Sequence, residues 1–308
     1  MKINIAVIGL IGVTALGACG GGGGGGGGGI VTPGTPSPRD TLPVTGQGNS
    51  GGVLSRSGEN PLAGVEATMA YAGNSGRSSG AHVDFHNGDM SGVGVRCSRA
   101  GGGAVVPSCD VSNARAAYLT NELSGSHSYA GTFVVEGYGP GGNQNGTVAL
   151  HASPTGQGRD RVQLPSGGQT QYNGRFQAGG GLVEGGQMRN GTINGSIAMD
   201  VDFAQHSLDG TMTGTLYDAT TTRYIPVAAG FADAVVGVDG TIYNGTDTTM
   251  TYGGQQASGQ LDGAFYGPNA EEAAGSFGFG NELGGMTGIF VGCSANSGVN
   301  CVAPSPRF

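Results

Sequence analysis

Two histidines and an aspartate in one short segment have the side-chain chemistry of a ligand site. In AHVDFH, alternation places His82, Asp84 and His86 on one face of a predicted strand. Two imidazoles and a carboxylate could bind a transition metal, or one imidazole could ligate haem. The segment also fits an ordinary strand, with Val83 and Phe85 pointing inward and a polar outer face. Both interpretations stay open from the sequence.

A pair of adjacent carboxylates lies in the segment LDGAFYGPNAEEAAGSFGF. Glu271 and Glu272 suggest acid–base chemistry, but neighbouring side chains on a turn diverge, and no histidine or nucleophile is near them in sequence. Gly267 and Pro268 are predicted to end a strand, since proline cannot donate to a strand ladder. Asn269 would cap one helical turn, and Glu272 would complete a capping-box pattern. We therefore expect a structural role for both carboxylates.

The cysteines outside the N-terminal segment form two local pairs. Cys97 and Cys109 close one Gly-rich loop, and Cys293 and Cys301 close another. Four cysteines allow three connectivities, and these close spacings favour Cys97–Cys109 and Cys293–Cys301 as disulfides. Zinc ligation is the rival interpretation, but it favours Cys-x-x-Cys spacing, which the sequence lacks.

The N-terminus, MKINIAVIGLIGVTALGAC, has the organisation of a secretory signal. Lys2 precedes an apolar stretch at 3–18, which is shorter than the roughly 20 residues of a membrane span. The end of the segment, Leu-Gly-Ala-Cys, resembles the bacterial lipobox, in which the cysteine receives lipid and becomes the first mature residue. We therefore predict a signal peptide at 1–18 and lipid on Cys19. Gly20 occupies the place of an inner-membrane retention aspartate, which favours the outer membrane.

The residues after Cys19 are predicted to form a tether. A glycine run at 20–29 is followed by a Pro/Ser/Thr-rich stretch, and neither can pack a core. A flexible chain of this length spans about 30 Å on average. We therefore expect residues 19–52 to lift a folded body off a membrane to which lipid is the only anchor.

Composition excludes several classes of function. Lys2 is the only lysine, so the mature chain cannot form a lysine Schiff base or a lysine-containing phosphate loop. The formal net charge of -8 disfavours nucleic acid and anionic lipid surfaces as partners. Serine, histidine and aspartate show no nucleophile-elbow spacing. The sequence therefore predicts no enzyme and no required cofactor.

Hydrophobic alternation predicts an all-β fold. In GSIAMDVDF, apolar Ile197, Met199 and Val201 alternate with polar or small residues, and TMTGTLY and GGMTGIFV behave in the same way. Asn-Gly and Asp-Gly pairs are frequent and fit hairpin turns. These pairs begin at Asn87, Asn145, Asn173, Asn190, Asn194, Asn244, Asp209, Asp239 and Asp262. Short alternating segments between turns indicate a sandwich or a barrel.

The density of this pattern suggests two folded regions. Residues 53–165 contain strand-like segments of lower regularity, and residues 166–308 contain the regular ones. We place a boundary near Pro165.

The segment GAFYGPNAEEAAGSF, followed by GGMTGIFVG, closely resembles the signature of the β-barrel in transferrin-binding protein B-like surface lipoproteins, a group that includes the factor H binding protein type of barrel. The upstream stretch AMDVDFAQHSLDGTMTG also resembles this family, and the likeness covers about 170–292. The signature residues in this chain are Gly263, Phe265, Tyr266, Gly267, Pro268, Asn269, Glu272, Gly275 and Phe277.

The resemblance implies an eight-stranded antiparallel barrel preceded by a looser β-rich handle. It also implies lipid anchoring at the outer membrane, on the cell surface or on the periplasmic face. The expected function is non-catalytic binding of an extracellular protein or an iron-linked ligand, with an outer-membrane transporter as a further partner. A haem- or metal-binding carrier and a ligand-free envelope lipoprotein are the alternatives. Transferrin itself is not implied, because transferrin-binding protein B has two lobes and this chain has room for one.

Overall fold

The computed structural model describes residues 43–44, 67–72, 80–85, 90–98, 108–139, 141–142, 144–152, 162–297 and 301. Over these residues the fold is all-β, as predicted, and consists of two antiparallel sheets. The described residues belong to one compact unit, Thr35–Phe308. None of their helices is long and apolar enough to cross a membrane.

The first sheet, which we call the handle sheet, is an open half-barrel with its strands in chain order. Its last three strands are the longest. The strands are β1 (Pro43–Val44), β2 (Ala67–Ala72), β3 (Gly80–Phe85), β4 (Gly94–Ser98), β5 (Ser108–Ser112), β6 (Ala116–Ser124), β7 (Tyr129–Tyr138) and β8 (Gln144–Ala152).

The second sheet is a closed eight-stranded barrel, which confirms the predicted architecture. Strands follow each other around the wall, and β17 pairs with β9 to close it. The strands β13 and β14 together fill one position between β12 and β15. The barrel strands are β9 (Gln169–Glu184), β10 (Gln187–Asp202), β11 (Ser207–Asp218), β12 (Arg223–Val236), β13 (Thr241–Tyr243), β14 (Thr249–Tyr252), β15 (Gln255–Tyr266), β16 (Glu272–Asn281) and β17 (Gly284–Ser294).

The wall formed by β10, β11 and β12, which we call the free wall, has the predicted alternation. Ile197, Met212 and Leu216 are buried in the barrel interior, whereas Ser196, Thr213 and Thr215 lie exposed on the outside. Side chains on successive strand residues point to opposite faces, so one face fills the core and the other meets solvent.

The wall formed by β15, β16 and β17, which we call the covered wall, is buried on both faces except in the first half of β15. Met286 and Phe290 point into the barrel core, whereas Ile289 and Val291 point outward and are also buried. The outward side chains pack against Leu123, Ala130 and Ala149 of the handle sheet. The expectation of a polar outer face was therefore wrong for this wall, because the handle sheet replaces solvent there.

Most of the Asn-Gly and Asp-Gly pairs are not hairpin turns, which corrects that prediction. Six of the nine pairs lie inside strands, those at Asn145, Asn173, Asn190, Asn194, Asp209 and Asp262. Several of their glycines are required by close packing: a Cβ on Gly195 would lie 2.5 Å from the ring of Phe176. Of the remaining pairs, the one at Asn87 lies outside the described residues.

The predicted domain limits relate to the strands as follows. The boundary near Pro165 lies between β8 and β9. Pro43 and Val44, within the predicted tether at 19–52, pair with β2, so the handle sheet begins inside that range. The predicted signal peptide at 1–18 and Cys19 lie outside the described residues.

Candidate functional site

The barrel interior is filled by aromatic side chains. Phe176, Phe265 and Phe277 are each 1 % exposed or less, and the rings of Phe176 and Phe277 meet at 6.0 Å between centroids. The Tyr252 hydroxyl donates to the Gly181 carbonyl at 3.0 Å. Burial raises the pKa of Tyr252 to about 12. A ligand of this barrel therefore has to bind on its outside or at its ends.

The signature segment joins β15 to β16 in the barrel and docks the handle sheet. Gly263 and Gly275 face each other across β15 and β16, and a Cβ on Gly275 would lie 2.5 Å from the Phe290 ring. Their lack of side chains makes room for that ring. On the outer face, the Tyr266 hydroxyl lies 2.6 Å from Nδ1 of His151, a handle residue. The two faces of one segment thus serve the core and the domain contact.

Glu272 is a buried carboxylate that joins the barrel to the β6–β7 loop of the handle sheet. It is 0 % exposed and accepts hydrogen bonds from the Ser126 and His127 amides at 2.6 and 3.0 Å. The Ser128 hydroxyl donates to it at 2.7 Å. A Cβ on Gly125 would collide with this carboxylate, so glycine there lets the loop close around it. Hydrogen bonds to an ionised acceptor are about twice as strong as neutral ones.

The predicted helical turn at Asn269 was wrong. The Ala270 amide donates to the Gly267 carbonyl, which makes a β-turn, and Glu272 is the first residue of β16. Glu271, which is partly exposed, accepts from the Asn269 amide and side chain at 2.8 Å. Burial, the largest single contribution, acts to raise the pKa of Glu271. The hydrogen bonds from Asn269 and the electrostatic interaction with His127 together outweigh it, so the pKa is lowered. The expectation of structural roles therefore holds, but through different contacts.

The two cysteine pairs are joined as disulfides. Cys97 bonds Cys109 across β4 and β5, and Cys293 bonds Cys301. A carboxylate oxygen of Glu272 lies within 4.8 Å of both sulfurs of the second pair. Because those sulfurs are bonded to each other and Glu272 is held by the handle loop, this group is not a metal centre.

The predicted ligand face on β3 is described only in part. Val83 is buried, as the strand interpretation expects, and Asp84 is exposed. His82 pairs with Arg96 of β4 through its backbone. The side chain of His82 and all of His86 lie outside the described residues, so this ligand hypothesis remains a prediction.

Two ion pairs close one end of the barrel, which we call the tip. The guanidinium of Arg223 lies 3.3 Å from Glu184, which joins β12 to the β9–β10 hairpin. Arg189 lies 3.7 Å from the buried Asp218. The Thr221 hydroxyl donates to Asp218 at 2.6 Å, and this bond holds the pKa of that carboxyl below its usual value. Together these contacts fix the positions of two neighbouring hairpins.

Large apolar side chains are exposed at the tip. Met188 is 50 % exposed and Tyr224 is 63 % exposed. Tyr224 pairs across the strands with Tyr217, and their rings lie 5.1 Å apart between centroids. We call Met188, Tyr217 and Tyr224 the tip patch. Half-exposed tyrosines on rigid strands are typical of protein contact surfaces, because they add area at low cost in conformational entropy.

Sequence reasoning did not identify the tip patch. The available signal was an apolar residue just beside each turn: Met188 follows the Gly-Gly turn of the β9–β10 hairpin, and Tyr224 follows a threonine-rich turn. Two other large apolar side chains, Val238 and Tyr243, are exposed toward the opposite end of the barrel.

Comparison with known proteins assigns the barrel. Residues 164–295 match the family described as the C-lobe and N-lobe β-barrels of transferrin-binding protein B. The barrel belongs to this family. The match includes the tip patch, the signature segment and the covered wall, and it leaves the handle sheet outside.

Solved structures of transferrin-binding protein B and other binding proteins were also found. A transferrin-binding protein B mutant from Actinobacillus pleuropneumoniae is 14 % identical, covering 75 % of this chain and 98 % of its own, with a TM-score of 0.36. The lactoferrin-binding protein B N-lobe of Moraxella bovis is 16 % identical, covering 58 % and 79 %, with a TM-score of 0.35. The haemoglobin receptor HpuA of Kingella denitrificans is 13 % identical, covering 79 % and 86 %, with a TM-score of 0.33. No curated protein matched this chain.

Proposed function

We propose that this chain is a non-catalytic lipoprotein, anchored to the outer membrane through Cys19, that captures an extracellular protein with its tip patch. The observation that carries the proposal is the exposed Met188 and Tyr224 on a barrel whose interior is full. A filled barrel leaves no lumen for a small ligand, so recognition falls to the outer surface. The family description adds support, since it names a protein that binds transferrin.

The tip patch is suited to a protein partner because it is rigid before binding. Ion pairs at Glu184 and Asp218 hold the hairpins that carry it. A surface that is already ordered loses little conformational entropy when it binds, so more of the contact energy appears as affinity. An iron-linked protein is the partner class that we favour, and an outer-membrane transporter would be the next recipient.

A binding assay with a matched control tests the tip patch. Transferrin, lactoferrin and haemoglobin serve as probes against the full chain. We expect one of them to bind saturably, and Met188→Ser with Tyr224→Ser to weaken that binding tenfold or more. Val238→Ser, which changes an exposed apolar residue toward the opposite end, should leave binding unchanged. The proposal is contradicted if none of the three probes binds, or if the tip variant binds as tightly as the wild type.

Location is tested by protease treatment of intact cells, with lysed cells as the control. We expect the folded body to be cut on intact cells and the Cys19→Ser variant to be lost from the membrane fraction. Protection until lysis would place the body in the periplasm and remove an extracellular partner. Haem titration, with His82→Ala and His86→Ala as controls, tests the carrier alternative, which predicts a haem spectrum that depends on those residues.

A further inference from the structure

His151 of the handle sheet has one ring nitrogen without a hydrogen-bond partner among the described residues. The residue is buried, and its Nδ1 lies 2.6 Å from the Tyr266 hydroxyl. Its Nε2 is buried, makes no hydrogen bond, and lies 3.7 Å from a carboxylate oxygen of Asp262. A buried polar atom without a partner is destabilising, so one that persists at a domain contact suggests an additional occupant.

Neither neutral tautomer of His151 satisfies this arrangement. If Nδ1–H donates to Tyr266, the lone pair of Nε2 faces the negative carboxylate of Asp262. If Nε2 carries the hydrogen instead, 3.7 Å is too long for a hydrogen bond to Asp262. In the first tautomer a cation between Nε2 and the carboxylate would bind both electron pairs, and Tyr266 would orient the ring as the outer partner of a metal-bound histidine usually does.

We propose that His151 and Asp262 form a two-residue site for a divalent transition ion such as Zn²⁺, which links the handle sheet to the barrel. Two ligand atoms about 2.1 Å from one tetrahedral Zn²⁺ lie about 3.4 Å apart, so the observed pair needs only a small movement. Imidazole nitrogen favours Zn²⁺ over Ca²⁺ or Mg²⁺, which take oxygen ligands. Water would complete the coordination.

The ion can enter from the barrel side. The Asp262 side chain is 23 % exposed, whereas the His151 side chain is 4 % exposed. Asp262 lies on the outer face of β15, opposite the partly exposed Tyr243 of β13. A small rotation of this carboxylate would admit a hydrated ion without separating the two sheets. Because the ligands come from β8 and β15, the bound ion would stabilise the folded pair by mass action.

Isothermal titration of the full chain with Zn²⁺ tests the proposal. We expect one site whose affinity falls tenfold or more in Asp262→Asn and in His151→Gln, and falls measurably in Tyr266→Phe. Asp200→Asn, a change of an exposed aspartate on the free wall, is the matched control and should bind as the wild type does. The thermal midpoint should rise with Zn²⁺ in the wild type and not in Asp262→Asn.

The same experiment distinguishes this site from the competing ligands His82 and His86. If Zn²⁺ binding survives Asp262→Asn but disappears in the His82→Ala, His86→Ala double variant, the ion belongs to β3 and the proposal is wrong. If the wild type binds no Zn²⁺, the proposal is overturned. Neither result depends on whether the tip patch captures a protein.

Discussion

The free wall and the covered wall are parts of one barrel with different surroundings. On the free wall, Thr213 and Thr215 point outward into solvent, while Met212 and Leu216 point into the core. On the covered wall, the outward positions hold Ile289 and Val291, and the handle sheet buries them. The same strand geometry therefore serves an exposed surface or a domain contact, depending on the outward-facing side chains.

A charge placed on the covered wall should have the largest effect. Ile289→Asp would bury an unpaired carboxylate against the handle sheet, and we expect a loss of about 4 kcal/mol or more in the free energy of unfolding. Thr215→Asp, on the exposed face of the free wall, should change it by less than about 0.5 kcal/mol. Urea unfolding followed by circular dichroism measures both.

If the aspartate variant does not fold, Ile289→Ala keeps the comparison testable. Deleting the buried side chain should cost about 2–4 kcal/mol through lost burial and the cavity that remains. A cost below about 0.5 kcal/mol for Ile289→Ala would show that the handle sheet does not stabilise the covered wall.

Removing the charge from Glu272 should have an intermediate effect. In Glu272→Gln one acceptor oxygen becomes an NH₂ group that faces the donors of the β6–β7 loop, so we expect a loss of about 2–3 kcal/mol. Hydrogen exchange should become faster at the amides of Ser126 and His127, which donate to Glu272. Glu271→Gln, at the partly exposed neighbour, is the control, and unchanged exchange in Glu272→Gln would contradict the assigned contact.

The smallest effect concerns Asp218 at the tip, whose pKa is lowered chiefly by the Thr221 hydroxyl. A lowered folded-state pKa gives stability that is present above the unfolded value of about 3.9 and is lost as the pH falls through the folded value. Asp218→Asn should therefore flatten the pH dependence of unfolding below about pH 4, with the profile near pH 7 parallel to that of the wild type. An unchanged profile would show that the carboxylate is not held in this way.

Alternation in the sequence was sufficient to predict the barrel, but it did not predict the contact between the barrel and the handle sheet. The period of two in β10 and β11 predicts which side chains are inside, because one face there meets water. In β17 the outward residues Ile289 and Val291 are as apolar as the inward ones, so the alternation does not separate the two faces. A one-dimensional pattern cannot say what covers an apolar face when the covering strands are distant in sequence.

Local turn chemistry was the least reliable guide. Asn-Gly pairs at Asn173 and Asn194 were expected at hairpins, yet their glycines allow neighbouring strands and rings to approach closely. The β9–β10 turn uses Gly185 and Gly186 instead, both with positive φ. In a glycine-rich chain, a glycine signals either a turn or tight packing, and the sequence alone does not separate the two. The tip patch was missed because its residues are far apart in sequence.

The first and last barrel strands lie side by side, with Ser294 opposite Tyr172. The barrel therefore begins and ends at the same place, and it could be duplicated, permuted or transplanted at the gene level without cutting a strand. Its covered wall limits that freedom, because Ile289 and Val291 would become an exposed apolar patch that favours aggregation once the handle sheet was removed. The unit that can be inherited or engineered is thus the barrel together with its handle.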